Sequence, residues 1–216
     1  MAMTTNYIAV VGDVVASRQA PERGELQSRL QQALGQVNER FAGVVASRFV
    51  LTLGDEFQGL LLSPDELQHI LGLLWASAHP EELRFGLGLG RLDTPLQSQA
   101  LGMDGPCFHH ARTAVERAER LKTPVEVEAG WPVQAFAIYA MLCGHMRSHW
   151  TSKQRRVADL SMSGLEGVEI ASRLSISPSA VSQHLRAAGW AALEPATAAW
   201  VEAIRAAQQA VDRMPL

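Results

Sequence analysis

The sequence predicts an α+β chain, with a ferredoxin-like βαββαβ unit over residues 1–130 followed by an all-α helix-turn-helix unit over residues 131–216. Three observations lead there. Short β-branched runs alternate with amphipathic stretches through the first half of the chain. Beyond Ala129 the apolar spacing is helical throughout. The charge reverses at the same place, from 11 Lys/Arg against 16 Asp/Glu in residues 1–130 to 6 against 3 in residues 131–190. An acidic block ahead of a basic one suggests two units with different partners, which the net charge of −3 conceals.

Each element has its own signal. Tyr7–Val11 (YIAVV) is a short apolar run ending at Gly12-Asp13, a buried strand. After a polar stretch with Pro21 and Gly24, Leu26, Leu30, Leu34, Val37 and Phe41 recur at spacings of 3 and 4, one face of a helix. Val44–Leu53 and Phe57–Leu62 flank Gly54-Asp55-Glu56 and read as a hairpin. Ser63-Pro64-Asp65-Glu66 predicts a capping box opening a helix that runs to about Ser77. Leu83–Arg91 (LRFGLGLGR) is a further strand, and Gly105-Pro106 opens a helix through Leu121. This order is the split βαβ arrangement, an antiparallel sheet with helices on one face. It brings the end of the first strand, with Asp13, toward the turn carrying Asp55 and Glu56.

The 47% hydrophobic content excludes a disordered or fibrous chain. Cys107 and Cys143 are too few for a disulfide framework and lack metal-type spacing. No charged region precedes the first apolar residues, which argues against a signal peptide. The longest uncharged stretch, Ala129 to Met146, contains Pro132, Gln134, Gly144 and His145, so it predicts a buried helix and no membrane span. A cytoplasmic location follows.

Carboxylates at a strand end and an adjacent hairpin turn can form a Mg²⁺ site, because Mg²⁺ takes hard oxygen ligands, often one or two carboxylates completed by water and phosphate. Gly54, without a side chain, would let a phosphate or sugar approach closely. Asp13 and Asp55 are equally the residues that ordinary turns prefer. His109 and His110 point about 100° apart on a helix and so cannot easily share one metal. Either they serve as polar residues at a helix start, or one acts as a general base or nucleotide contact.

The motifs themselves carry a resemblance. Leu53-Gly54-Asp55-Glu56-Phe57 is similar to the signature hairpin of diguanylate cyclase GGDEF domains, with Leu53 replacing its first glycine. Val11–Val15 (VGDVV) resembles the first metal-binding strand of those domains and of class III nucleotidyl cyclases, and Arg84–Gly90 (RFGLGLG) resembles their later glycine-punctuated strand. Taken in order, IAVVGDVVASR, LTLGDEFQGLL, RFGLGLG and ALGMDGPCFHHAR look most like the SatD family. The resemblance implies a cyclase-like palm with Asp13, the Val14 carbonyl and Asp55 as ligands of Mg²⁺ or Mn²⁺, and Glu56 nearby. It implies nucleotide contacts from Gly12, Gly54, His109 and Arg112. The cyclase pair of Asn and Arg four residues apart is not intact: with His109 in the Asn position, the Arg position falls on Thr113.

In the basic block, Trp131–Trp150 and Ser152–Leu160 read as helices, and Gly167–Leu185 resembles a helix-turn-helix. Ala171, Leu174, Ile176, Val181 and Leu185 fit its small core, Ser177 caps the second helix and Pro178 takes its first position. Ser175 stands where the turn usually has glycine. With Val181, Leu185 and Ala188 inward, Ser179, Ser182, Gln183 and Arg186 face outward, the polar set a recognition helix needs in the major groove. Lys153, Arg155 and Arg156 are placed for the DNA backbone. A helical hairpin binding a protein uses the same geometry. The tail Pro195–Met214 places Trp200, Ile204, Ala207 and Val211 on one face, for internal packing or a second subunit. Together the halves predict a DNA-binding regulator with a metal- and nucleotide-binding sensory domain, working as a homodimer. The alternative is an active nucleotidyl cyclase or nucleotidyltransferase whose C-terminal helices serve localisation or dimerisation.

Overall fold

The apolar run at the start of the chain forms β1 (Tyr7–Val14), buried on both sides of the sheet, as an unbroken β-branched run requires. The computed structural model describes residues 5–15, 23–52 and 54–211. After β1 come α1 (Arg23–Arg40), β2 (Val45–Leu51), β3 (Phe57–Leu61), α2 (Leu67–Ala78), β4 (Leu83–Gly90), α3 (Pro106–Leu121) and β5 (Val125–Glu128). The sheet runs β2-β3-β1-β4-β5, with β1 antiparallel to β3 and β4 and β5 parallel to β4. Five strands and eight helices among the described residues make the chain a mixed α+β protein.

Alternation along β1 divides the core. Ile8, Val10 and Val14 join the leucines of α1 and α2 on one face, while Ala9 and Val11 meet Cys107, Phe108 and Ala111 of α3 on the other. Helices therefore cover both faces, where the sequence led us to expect one. The reason is the glycine-punctuated strand. Gly86, Gly88 and Gly90 share the α3 face of β4, and a Cβ on any of them would collide with the backbone of α3. Without side chains there, helix and strand pack backbone to backbone.

Three boundaries differ from expectation. The capping box at Ser63 does not form: Ser63 bonds Asp65 at 2.6 Å, Glu66 turns to His69 at 2.7 Å, and α2 begins at Leu67. Strand β5 was not anticipated, although its Val-Glu-Val-Glu alternation is a strand signal; its buried Glu126 is held by Thr123 and Arg117. The final helix starts five residues before Pro195, which it accommodates inside its first turns. Met214 and Pro21 lie outside the described residues.

The remaining helices are α4 (Gln134–Ser148), α5 (Ser152–Met162), α6 (Gly167–Leu174), α7 (Pro178–Ala187) and α8 (Trp190–Val211). They change the pattern at residue 130, yet α4, α5 and α8 pack into the core of the sheet: Phe136, Tyr139, Cys143, Met162, Trp200 and Ile204 belong to the same apolar cluster. Arg147 ties the seam. Its guanidinium lies 4.2 Å from the Trp75 ring of α2 and 5.2 Å from Trp150, and it pairs with Asp159 of α5 at 2.6 Å. Burial works against the charge on Arg147, and Asp159 more than reverses that effect. Trp200 stacks on Tyr139 at 4.5 Å, so the apolar face of the tail is spent on internal packing.

Candidate functional site

Gly12 and Asp13 are consecutive, so the pleat sends them to opposite faces. Gly12 faces α2: the Phe57 ring lies across it, where a Cβ would clash. The glycine of the first motif and the phenylalanine of the hairpin motif therefore interlock for packing. Asp13 faces the α3 side and opposes Arg84 of β4, whose Nε lies 2.8 Å from its Oδ1. The two atoms are close without hydrogen-bond alignment, so this is a charge pair. Arg84 also reaches Glu119 of α3 at 3.4 Å.

The hairpin turn is closed by Thr52, whose N–H donates to the Glu56 carbonyl at 2.9 Å. Gly54 adopts φ +67° with open space around it, so the turn's left-handed backbone accounts for the glycine. Leu53 lies outside the described residues. Beside the turn opens a cavity of about 490 Å³, lined by Asp13, Glu56, Glu116, Glu119, Arg112, Thr52 and Gln58 among others. One wall comes from the loop with Leu101 and Gly102. That loop is held on the sheet by Gln58 donating to the Ala100 carbonyl, and by Arg48 pairing with Ser98 and Ala100.

Electrostatics in the cavity follow from this crowding. Burial raises the Asp13 carboxyl from its ordinary 3.8 to about 6; Arg84 pulls it back, and Glu119 and Asp55 push it further up. Asp55 is thus near enough for its charge to be felt at Asp13. Asp55 itself is not among the residues that line the cavity. Among the described residues no three His, Cys, Asp or Glu side chains gather into a closed metal cage. Val14 is buried toward the other face and can offer only its carbonyl.

The cavity brings together Asp13, Glu56 and Arg112 from the sequence-derived set. Arg112 is exposed and makes no ion pair among the described residues, which leaves its guanidinium open to a phosphate. His109 is not drawn in: it pairs with exposed Asp104 at 3.0 Å. His110 bonds the Leu89 carbonyl at 2.7 Å, at the end of β4 away from Asp13. Arg84, Glu116 and Glu119 were missed. For the two glutamates a signal was available, since residues 112, 115, 116 and 119 share one helical face. Cys107 and Cys143 are fully buried, and burial pushes their thiols up to about 12 and about 11, which excludes them as nucleophiles.

In the second block, α6 and α7 are joined through Ser175, at φ +53° and ψ +44°, whose N–H satisfies the end of α6. Ser177 caps α7 by accepting from the Ala180 N–H at 3.1 Å. Val157, Leu160, Ile170, Ala171 and Val181 form a small separate core, with Leu174, Ile176 and Leu185 against it. Ser179, Ser182, Gln183 and Arg186 are exposed on α7, and Lys153 and Arg156 are exposed on α5. Arg155 is committed elsewhere, to Glu82 just ahead of β4 and to the Arg147 carbonyl. Arg173 of α6, also exposed, adds a cation the sequence reading passed over.

The model of the SatD family (SatD) matches residues 7–193, from the first residue of β1 into α8. The chain belongs to the SatD family. The SatD match spans the cavity-lining residues and the α6–α7 unit together. No curated protein matches the chain. Among the described residues of this SatD protein, no helix is long and apolar enough to cross a membrane.

Proposed function

We propose that this protein is a DNA-binding regulator whose cyclase-like palm binds a divalent cation and a nucleotide, and whose α6–α7 unit is a helix-turn-helix. The observation that carries the reading is α7. It is capped by Ser177, seated on a small core through Val181, and exposes Ser179, Ser182, Gln183 and Arg186 together. Gln can read adenine and Arg guanine in the major groove, while Lys153, Arg156 and Arg173 supply phosphate contacts. For the palm, the βαββ order, the Asp13 strand end and the hairpin turn support the reading, with Asp13 and Asp55 as the residues that would hold Mg²⁺ or Mn²⁺. Such a cation would neutralise phosphate oxygens, Arg112 would orient a phosphate from α3, and Glu56 would border the nucleotide. Trp150 Nε1 donates to the Ala188 carbonyl at the end of α7 at 2.9 Å, which ties α7 to the seam at Arg147.

Duplex binding measured against salt tests the DNA half. Affinity should fall log-linearly with salt. Arg186→Ala and Gln183→Ala should each cost about 1–3 kcal/mol. Affinity indifferent to salt and to both changes removes the reading. For the palm, equilibrium binding of each nucleoside triphosphate with Mg²⁺ or Mn²⁺ should be lost in Asp13→Asn combined with Asp55→Asn. A new cyclic product in the wild type would instead establish the enzyme alternative.

A further inference from the structure

The C-terminal end of α4 carries two exposed histidines, His145 in its last turn and His149 at its C-cap, whose roles lie outside both the cavity and α7. His145 and His149 stand four residues apart on one helical face, with ring centroids 4.5 Å apart and planes tilted by 53°. We propose that they form a two-histidine chelate for a borderline first-row dication, Zn²⁺, Ni²⁺ or Cu²⁺. Donor chemistry and spacing support this. Imidazole nitrogens are the preferred donors for these ions. Two nitrogens at about 2.0–2.1 Å from one tetrahedral ion lie about 3.3 Å apart, which side chains i and i+4 reach by small rotations about exposed bonds.

The hydrogen bonding points the same way. His149 Nδ1 lies 2.7 Å from the His145 carbonyl. That oxygen can only accept, so the ring donates from Nδ1 and its Nε2 carries the lone pair. A metal-binding histidine commonly has this arrangement: the far nitrogen anchors on a backbone carbonyl while the near one is presented to the ion. The carbonyls at the end of α4 add the negative end of the helix dipole beneath the pair, which favours a cation there. No Asp or Glu lies between Gln134 and Trp150, so the chemistry selects an imidazole-seeking ion rather than Mg²⁺ or Ca²⁺.

Titration of the untagged full-length protein with ZnCl₂ and NiCl₂, followed by calorimetry, tests the site. The wild type should bind one ion per chain through this pair. Loss of even an outer partner of a metal ligand costs about 10–100-fold in affinity, so His145→Ala and His149→Ala should each weaken binding at least about tenfold. Both side chains are exposed, and unchanged circular dichroism will show that the variants fold. His109→Ala with His110→Ala, the other neighbouring pair, should leave this binding intact. Wild-type affinity in the His145→Ala/His149→Ala double variant, or binding lost in the His109/His110 variant alone, overturns the proposal.

Discussion

Asp13 and Arg84 are direct partners across β1 and β4, with Nε 2.8 Å from Oδ1, and Arg84 extends the contact to Glu119 at 3.4 Å. The arginine is an internal counter-ion for a cavity otherwise rich in carboxylates. A divalent cation held by Asp13, as proposed, would be in competition with Arg84 for the same oxygen.

Replacing the counter-ion should expose that competition. Arg84→Gln leaves Asp13 facing Asp55 and Glu119 with less positive charge nearby. Mn²⁺ affinity, followed by the loss of its free electron-spin resonance signal, should rise several-fold, since each tenfold corresponds to about 1.4 kcal/mol. Unchanged or weaker Mn²⁺ binding would mean that Asp13 is not a ligand.

The Asp13 carboxyl also makes stability depend on pH. Its folded pKa, about 6, lies above the ordinary 3.8, so between those values the folded chain holds a proton that the unfolded chain has released. Stability from this group is complete below pH 4 and declines as pH rises through 6. The difference amounts to roughly 1–3 kcal/mol. Asp13→Asn, which mimics the protonated acid, should be more stable than the wild type at pH 7 and equal to it at pH 4. Urea unfolding at both values measures this, and an equal effect at both would reject it.

The glycine stripe predicts opposite outcomes for one chemical change. Gly88→Ala drives a methyl into the Cys107 carbonyl and the Ala111 backbone and should cost about 1–3 kcal/mol or more, because α3 must lift off β4. Gly35→Ala in α1 meets nothing within 4 Å. There it should stabilise by about 0.5–1 kcal/mol. Thermal denaturation of the two variants side by side decides it.

Ser175 carries the strain in the connection between α6 and α7. A non-glycine residue in the left-handed region costs about 1–2 kcal/mol, and glycine's extra freedom when unfolded returns about 0.5–1. Ser175→Gly should therefore stabilise by up to about 1 kcal/mol while leaving duplex affinity unchanged, since no exposed α7 side chain is touched. A destabilised variant would show that the Ser175 side chain has a role of its own.

Element types were largely legible because they depend on local spacing. The leucines of α1, the GDE turn and the α6–α7 pattern each report a period that only one conformation satisfies. Strand β5 escaped because four residues of alternation, Val125–Glu128, barely exceed the length of a turn. The capping box at Ser63 failed because two competing side-chain bonds, Ser63 to Asp65 and Glu66 to His69, absorbed its polar groups. Local competition of that kind leaves no trace in a four-residue pattern.

By itself, the sequence determined the α+β class, the order of the first six elements, the family, and the inward and outward faces of α7. All of these rest on spacing within one segment or on motif order. Only the tertiary structure decided that Asp13 meets Arg84, that Arg112, Glu116 and Glu119 turn toward the same cavity, and that His109 does not. It also decided that α4, α5 and α8 share the core of the sheet, at a seam made by Arg147, Trp75 and Trp150. The physical reason is range. Periodicity tells which way a side chain points from its own backbone, whereas its partner depends on strand pairing and on how closely a helix can approach. Here the approach of α3 was set by three glycines on β4.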